Sequence, residues 1–189
     1  TFNWVLFSWG LICIASGLIY HMPGRRQKSV VRFELSKIPP SETPLLFSIA
    51  FIVIMVGLIA LIAPPNTWDS MTYHMSRVAH WIQNKTLVHY PTNILRQLSV
   101  TPGAEFVIMN FQILNGGDRF ANLVQWFSML GSIIGVSLIA KQLGADNRGQ
   151  IFSSVVCATI PMGILQGSST QNDYIVSFWI VCFVYYILL

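Results

Sequence analysis

Leu45-Leu46-Phe47-Ser48-Ile49-Ala50-Phe51-Ile52-Val53-Ile54-Met55-Val56-Gly57-Leu58-Ile59-Ala60-Leu61-Ile62-Ala63 carries no charge and leads directly into Pro64-Pro65-Asn66-Thr67-Trp68-Asp69-Ser70. A helix needs about 20 consecutive apolar residues to cross the hydrocarbon core of a bilayer. The run meets that length, the two prolines end it, and Trp68 stands where an interfacial aromatic belongs. This stretch predicts a transmembrane helix emerging into water with an acid, Asp69, beside its mouth.

The composition agrees. Of the 189 residues, 53% are hydrophobic and 10% charged, with a mean hydropathy of +0.59. Soluble domains carry about 25% charged residues, so there is too little charge here to cover a water-facing surface. The net charge of +4 reads as cytosolic loops beside anionic lipid, not as a nucleic-acid footprint. Cys13, Cys157 and Cys182 all lie in apolar runs. They have no metal or CxxC spacing and read as small buried residues.

Five apolar spans are predicted, at 2–20, 45–63, 120–140, 151–165 and 174–189. Arg25, Arg26, Lys28, Arg32 and Lys37 follow the first span, and Lys141 and Arg148 flank the connection between the third and fourth. Cytoplasmic loops are enriched in these residues, so 64–119 and 166–173 are expected outside. The expected fold is all-α: one polytopic transmembrane bundle over 1–189, with an outer loop that contains interfacial helices. The chain starts without Met and stops inside an apolar run, and is read as an N-terminal fragment.

The outer segment is too long for a simple turn and too apolar for a disordered tail. Met71, Met75, Val78 or Ala79, and Ile82 recur at helical spacing, opposite Asp69, Tyr73, Ser76, Arg77 and His80. An amphipathic helix over 68–84 is expected, then a second over 102–114, with Pro102 in its first turn, Glu105 near its positive end and Asn115-Gly116-Gly117 as its stop.

Asp69 is a candidate reacting carboxylate or simply a helix-start residue that complements the macrodipole. Asp173, at the mouth of the last span, is a candidate partner acid or a helix cap. The two are expected on the same membrane side, where paired carboxylates position a base or a divalent cation. Arg77 and Arg96 suit a lipid phosphate, because a guanidinium matches phosphate geometry, or ordinary headgroup contact. His74, His80 and His89 lack the four-residue spacing of helical zinc sites and read as polar surface residues.

The run Trp68-Asp69-Ser70-Met71-Thr72-Tyr73-His74-Met75-Ser76-Arg77-Val78-Ala79-His80-Trp81-Ile82-Gln83-Asn84 resembles the first periplasmic loop of bacterial GT-C glycosyltransferases, among them protein mannosyltransferases and aminoarabinose transferases. Thr101-Pro102-Gly103-Ala104-Glu105-Phe106 and Ser168-Ser169-Thr170-Gln171-Asn172-Asp173 extend the likeness over roughly 63–189. It implies transfer of a sugar from a polyprenyl-phosphate donor to a protein, lipid or glycan acceptor on the outer face of the bacterial inner membrane. By the same resemblance, Asp69 and Asp173 are the catalytic acids. Tyr73, Arg77, His80, Arg96 and Glu105 are substrate-binding candidates, and a divalent cation is present in some members. A single acid follows Trp68 where the mannosyltransferases carry an Asp-Glu pair. A transporter or flippase, or a non-catalytic scaffold of envelope assembly, is the alternative.

Overall fold

The computed structural model describes residues 40–189 and, in the N-terminal part, Phe7, Ser8, Gly10, Leu11, Ile14, Ala15 and Leu18. The chain divides into two compact units, 1–38 and 39–189. The described residues of the first unit are helical. Most of the expected first span, and the basic connection after it, lie outside the described residues.

In the second unit every regular element is helical, and no strand occurs among the described residues. A short 3-10 turn, Pro40–Glu42, leads into α1, Thr43–Ile62. α2 is Met75–Asn84, preceded without a break by a π-helical stretch, Ser70–His74. α3 is the single turn Arg96–Ser99, and α4 is Gly103–Asn115. α5 is Leu123–Gln142, α6 Asn147–Ala158, α7 Pro161–Gln166 and α8 Asp173–Leu188.

Among the described residues, two helices are long and apolar enough to cross a membrane. They are Pro40–Ile62, with a mean hydropathy of 3.1 over its most apolar window, and Leu123–Gln142, at 1.8. The expected span 151–165 is not one helix. It breaks at Thr159-Ile160-Pro161, where Pro161 has no N–H to continue the ladder and Ile160 takes an extended ψ of 116°. The residue before proline avoids the α region, so the apolar run becomes a helix of 12 residues and another of 6. The last span appears as α8, apolar but 16 residues long.

α5 is the centre of the unit and packs on α1, α6 and most extensively α8. Its neighbours are tied at defined ends. Asn122 Nδ2 donates to the Ala63 carbonyl at 2.9 Å, which joins the end of α1 to the start of α5. The Ile175 N–H, one of the orphan donors of a helix start, donates to Gln125 Oε1 at 3.1 Å. At the opposite end, Arg148 Nε bridges Glu42 Oε1 at 3.2 Å, bringing the starts of α1 and α6 together. α1 and α6 therefore run one way, α5 and α8 the other.

The α5–α8 seam depends on small residues. A Cβ built on Gly131 would meet the Phe178 ring at 2.6 Å, and one on Gly135 would overlap Val181 Cγ1. The Gly131-Ser132-Ile133-Ile134-Gly135 spacing puts both glycines on one face, the arrangement by which helices in lipid approach closely. Trp126 locks the α1 side, its Nε1 donating to the Val53 carbonyl at 2.9 Å.

This seam gives a test. Gly135→Leu is expected to lower stability by about 1–3 kcal/mol, because the branched Val181 cannot yield as a flexible chain end would. Gly103→Ala, where an added Cβ meets nothing within 4 Å, should stay within about 0.5 kcal/mol. Unfolding in detergent followed by circular dichroism compares the two.

Candidate active site

Residues 64–119 fold as helices at the expected places, and their details set the site. Residues Trp68 to Asn84 are helical throughout. The first turn is capped by Thr67, whose Oγ1 accepts from the Ser70 N–H at 3.3 Å. Asp69 makes no side-chain cap, so its carboxylate is not used to start the helix. The C-terminus is Lys85 in a left-handed conformation, φ 54°, and α4 ends likewise at Gly116, φ 74°.

The apolar stripe is only partly the buried face. Met75, Val78 and Trp81 are buried, but Met71 and Ile82 are exposed. The π-helical turn is the reason. Met75 N–H bonds to the Ser70 carbonyl, five residues back, and the wider turn shifts the register between Trp68 and Met75. The same shift carries His74 inward.

His74 is 1% exposed, not a surface residue, and its Nδ1 lies 2.8 Å from Glu105 Oε1. Arg77 is 2% exposed and Glu105 0%. The Arg77 guanidinium donates through Nε to the Gln97 carbonyl at 2.6 Å and through Nη1 to the Val100 carbonyl at 2.8 Å. Its Nη2 donates to the Arg96 carbonyl at 2.7 Å, and Nη1 also reaches Glu105 Oε1 at 3.3 Å. These carbonyls belong to α3 and the residue after it, so Arg77 sits at the negative end of that turn. Gln97 completes the tie. Its Nε2 donates to the Thr72 carbonyl in the π turn at 2.7 Å, and its Oε1 accepts from the Tyr90 hydroxyl at 3.1 Å.

Arg77 and Glu105, expected among the substrate-binding residues, are enclosed and act as interior fasteners. Each is enclosed, and Arg77 has turned its donors to backbone carbonyls. His80 is half-buried and stacks on Tyr90, ring centroids 4.0 Å apart. Among the described residues nothing joins it to Asp69.

Three of the candidates do meet around Asp69. Arg96 Nη1 lies 3.7 Å from Asp69 Oδ1, with the side chains 66% and 35% exposed. The Arg96 guanidinium also sits over the Tyr73 ring, 5.7 Å from its centroid. Burial pushes the Tyr73 hydroxyl above its ordinary pKa; the charge of Asp69, a hydrogen bond to Asp69 and the charge of Asp173 push the same way, while Arg96 opposes them. Tyr73 thus remains a hydroxyl donor at neutral pH and lies within electrostatic reach of both carboxylates.

Asp173 is the first residue of α8, exposed, with Asn172 in the cap position. The contact that carries it toward Asp69 is buried. Thr170 N–H donates to Ser70 Oγ at 3.4 Å, and both residues are fully enclosed. Nothing in the sequence marks Ser70 or Thr170 as a contact between the two stretches beyond their spacing: each lies next to or three residues from a candidate acid.

The resemblance implies a divalent cation in some members. Among the described residues no group of three or more His, Cys, Asp or Glu is placed to hold one. Asp69 and Asp173 offer two carboxylates, and Arg96 faces one of them. Two carboxylates would hold a magnesium ion only with waters and substrate phosphate oxygens filling the remaining positions of its octahedron.

Comparison with known protein families, with characterised proteins and with solved structures gives no match to this chain.

The difference between the two arginines is measurable. Arg77→Ala leaves Glu105 buried with His74 alone and removes the tie to α3, so stability should fall by about 3–5 kcal/mol. Arg96→Ala should change it by less than about 0.5 kcal/mol. Denaturant unfolding, with limited proteolysis between Asn84 and Gly103 as the local readout, separates them.

Proposed function

We propose that this chain is part of a membrane glycosyltransferase that uses a lipid-phosphate sugar donor on the outer side of a bacterial inner membrane. The observation that carries the reading is Asp69. Its carboxylate does not cap the helix, it is partly open to solvent, and it lies beside Arg96 and Tyr73, with the charge of Asp173 reaching Tyr73. The surface around Asp69 lies at the end of α1 and the start of α5, the two helices apolar enough to cross a bilayer. α6 with α7, and α8, complete a polytopic bundle beside them in this reading.

The chemistry follows from the groups available. Asp69 accepts the proton of the acceptor hydroxyl as the hydroxyl oxygen bonds to the anomeric carbon of the sugar. The bond from that carbon to the donor phosphate breaks, and the electron pair leaves with the phosphate. Arg96, always cationic, offsets the charge that develops there. Tyr73 orients Asp69, and Asp173 holds the acceptor or the sugar through its hydroxyls. A substrate anchored in lipid arrives at the level of this surface, so its diffusion is confined to the plane of the site.

The test is transfer itself. Membranes carrying the protein are supplied with a panel of synthetic polyprenyl-phosphate hexoses and pentoses, and transfer to membrane acceptors is followed. Asp69→Asn keeps the side-chain shape and removes the base, so transfer should fall by about 100-fold or more at unchanged expression. Wild-type turnover in that variant would rule the reading out.

A further inference from the structure

Arg96 is built unlike Arg77. Its backbone is fixed, because its carbonyl accepts from Arg77 Nη2 at 2.7 Å inside the fastener. Its side chain is exposed and touches two groups, Asp69 Oδ1 at 3.7 Å and the face of Tyr73. The first distance is near the outer limit of an ion pair, and an exposed pair of this kind is weak. The second contact keeps the guanidinium close to Asp69 without engaging its N–H donors, because a ring attracts the cation through its face.

We propose that Arg96 is a positioning residue that exchanges its guanidinium between Asp69 and the phosphate of an arriving ligand, and so uncovers the Asp69 carboxylate when that ligand binds. A phosphate accepts two parallel N–H bonds from a guanidinium, a stronger arrangement than the long contact to Asp69. Tyr73 serves as the pivot, stacked under the guanidinium in both positions. The carboxylate oxygen that faces Arg96 then becomes free to accept a hydroxyl proton. No bond between heavy atoms forms or breaks in the exchange. It rests on the reading of Asp69 as the reacting carboxylate, and it ties the readiness of that carboxylate to the presence of the donor phosphate.

Difference infrared spectroscopy of the full chain in lipid tests it without any sugar transfer. Dodecyl phosphate, inorganic phosphate and dodecyl maltoside are perfused in turn, and the carboxylate bands lost in Asp69→Asn identify Asp69. The expected result is a shift of the antisymmetric Asp69 carboxylate stretch on dodecyl phosphate and none on dodecyl maltoside. The shift should vanish in Arg96→Gln and return in part in Arg96→Lys. A response to inorganic phosphate as well assigns the exchange to phosphate in general; a response to dodecyl phosphate alone assigns it to a lipid phosphate. An Asp69 band that does not move with either phosphate, or moves equally in Arg96→Gln, overturns the exchange. If the band moves as expected but Asp69→Asn retains transfer, the exchange stands and the glycosyltransferase reading fails.

Discussion

The Arg77 guanidinium, enclosed between α2 and α3, is the contact on which the outer segment depends. A buried cation demands compensation, and it receives three backbone carbonyls and one carboxylate oxygen. Meeting that demand fixes where the chain must run from Arg96 to Glu105. A buried ion pair is a weak source of stability, because desolvation offsets most of its attraction. Its consequence here is geometric. The loop between α2 and α4 has few hydrophobic anchors, with Leu87, Val88 and Leu95 exposed, so a directional tie holds it where packing does not.

That tie divides the charged residues into two classes. His74, Arg77 and Glu105 face inward, His74 and Arg77 both meeting Glu105 Oε1 while Glu105 Oε2 is buried without a partner. Asp69, Arg96 and Asp173 face outward and remain open to a ligand. The fastener holds the Arg96 backbone, the π turn aims His74 inward, and Tyr73 beside it lies against Asp69. Rigid support under an exposed constellation is what a reacting site requires. The second half of the support comes from the bundle, where Gln125 fixes the start of α8 and Thr170 meets Ser70.

The all-helical class and both outer helices were legible in the sequence, because apolar spacing and stop signals act locally. Helix 68–84 is present at its expected bounds, and the second outer helix is Gly103–Asn115 against an expected 102–114. The identity of the buried face was not legible. A π turn changes the number of residues per turn by an amount that no apolar pattern announces, and it moved Met71 out and His74 in. The burial of Arg77 and Glu105 was not legible, because it depends on partners 19 to 31 residues away. The break at Ile160-Pro161 was readable from Pro161, but the surrounding apolar run, 151–165, masked it. Gly131 and Gly135, a pair at small-residue spacing, were visible in the sequence and passed over.

Asp69 and Asp173 serve one surface because the connections that carry them meet at Ser70 and Thr170. The most direct measurement is a cross-link across that meeting point. In a chain with Cys13, Cys157 and Cys182 replaced by alanine, Ser70→Cys is combined with Thr170→Cys, and mild oxidation is followed by mass spectrometry of the digested protein. The 3.4 Å contact between Ser70 Oγ and Thr170 N predicts a disulfide within one chain, and none when Ser76→Cys replaces Ser70→Cys. Free thiols at both positions under the same oxidation would contradict the meeting of the loops, and with it the shared site.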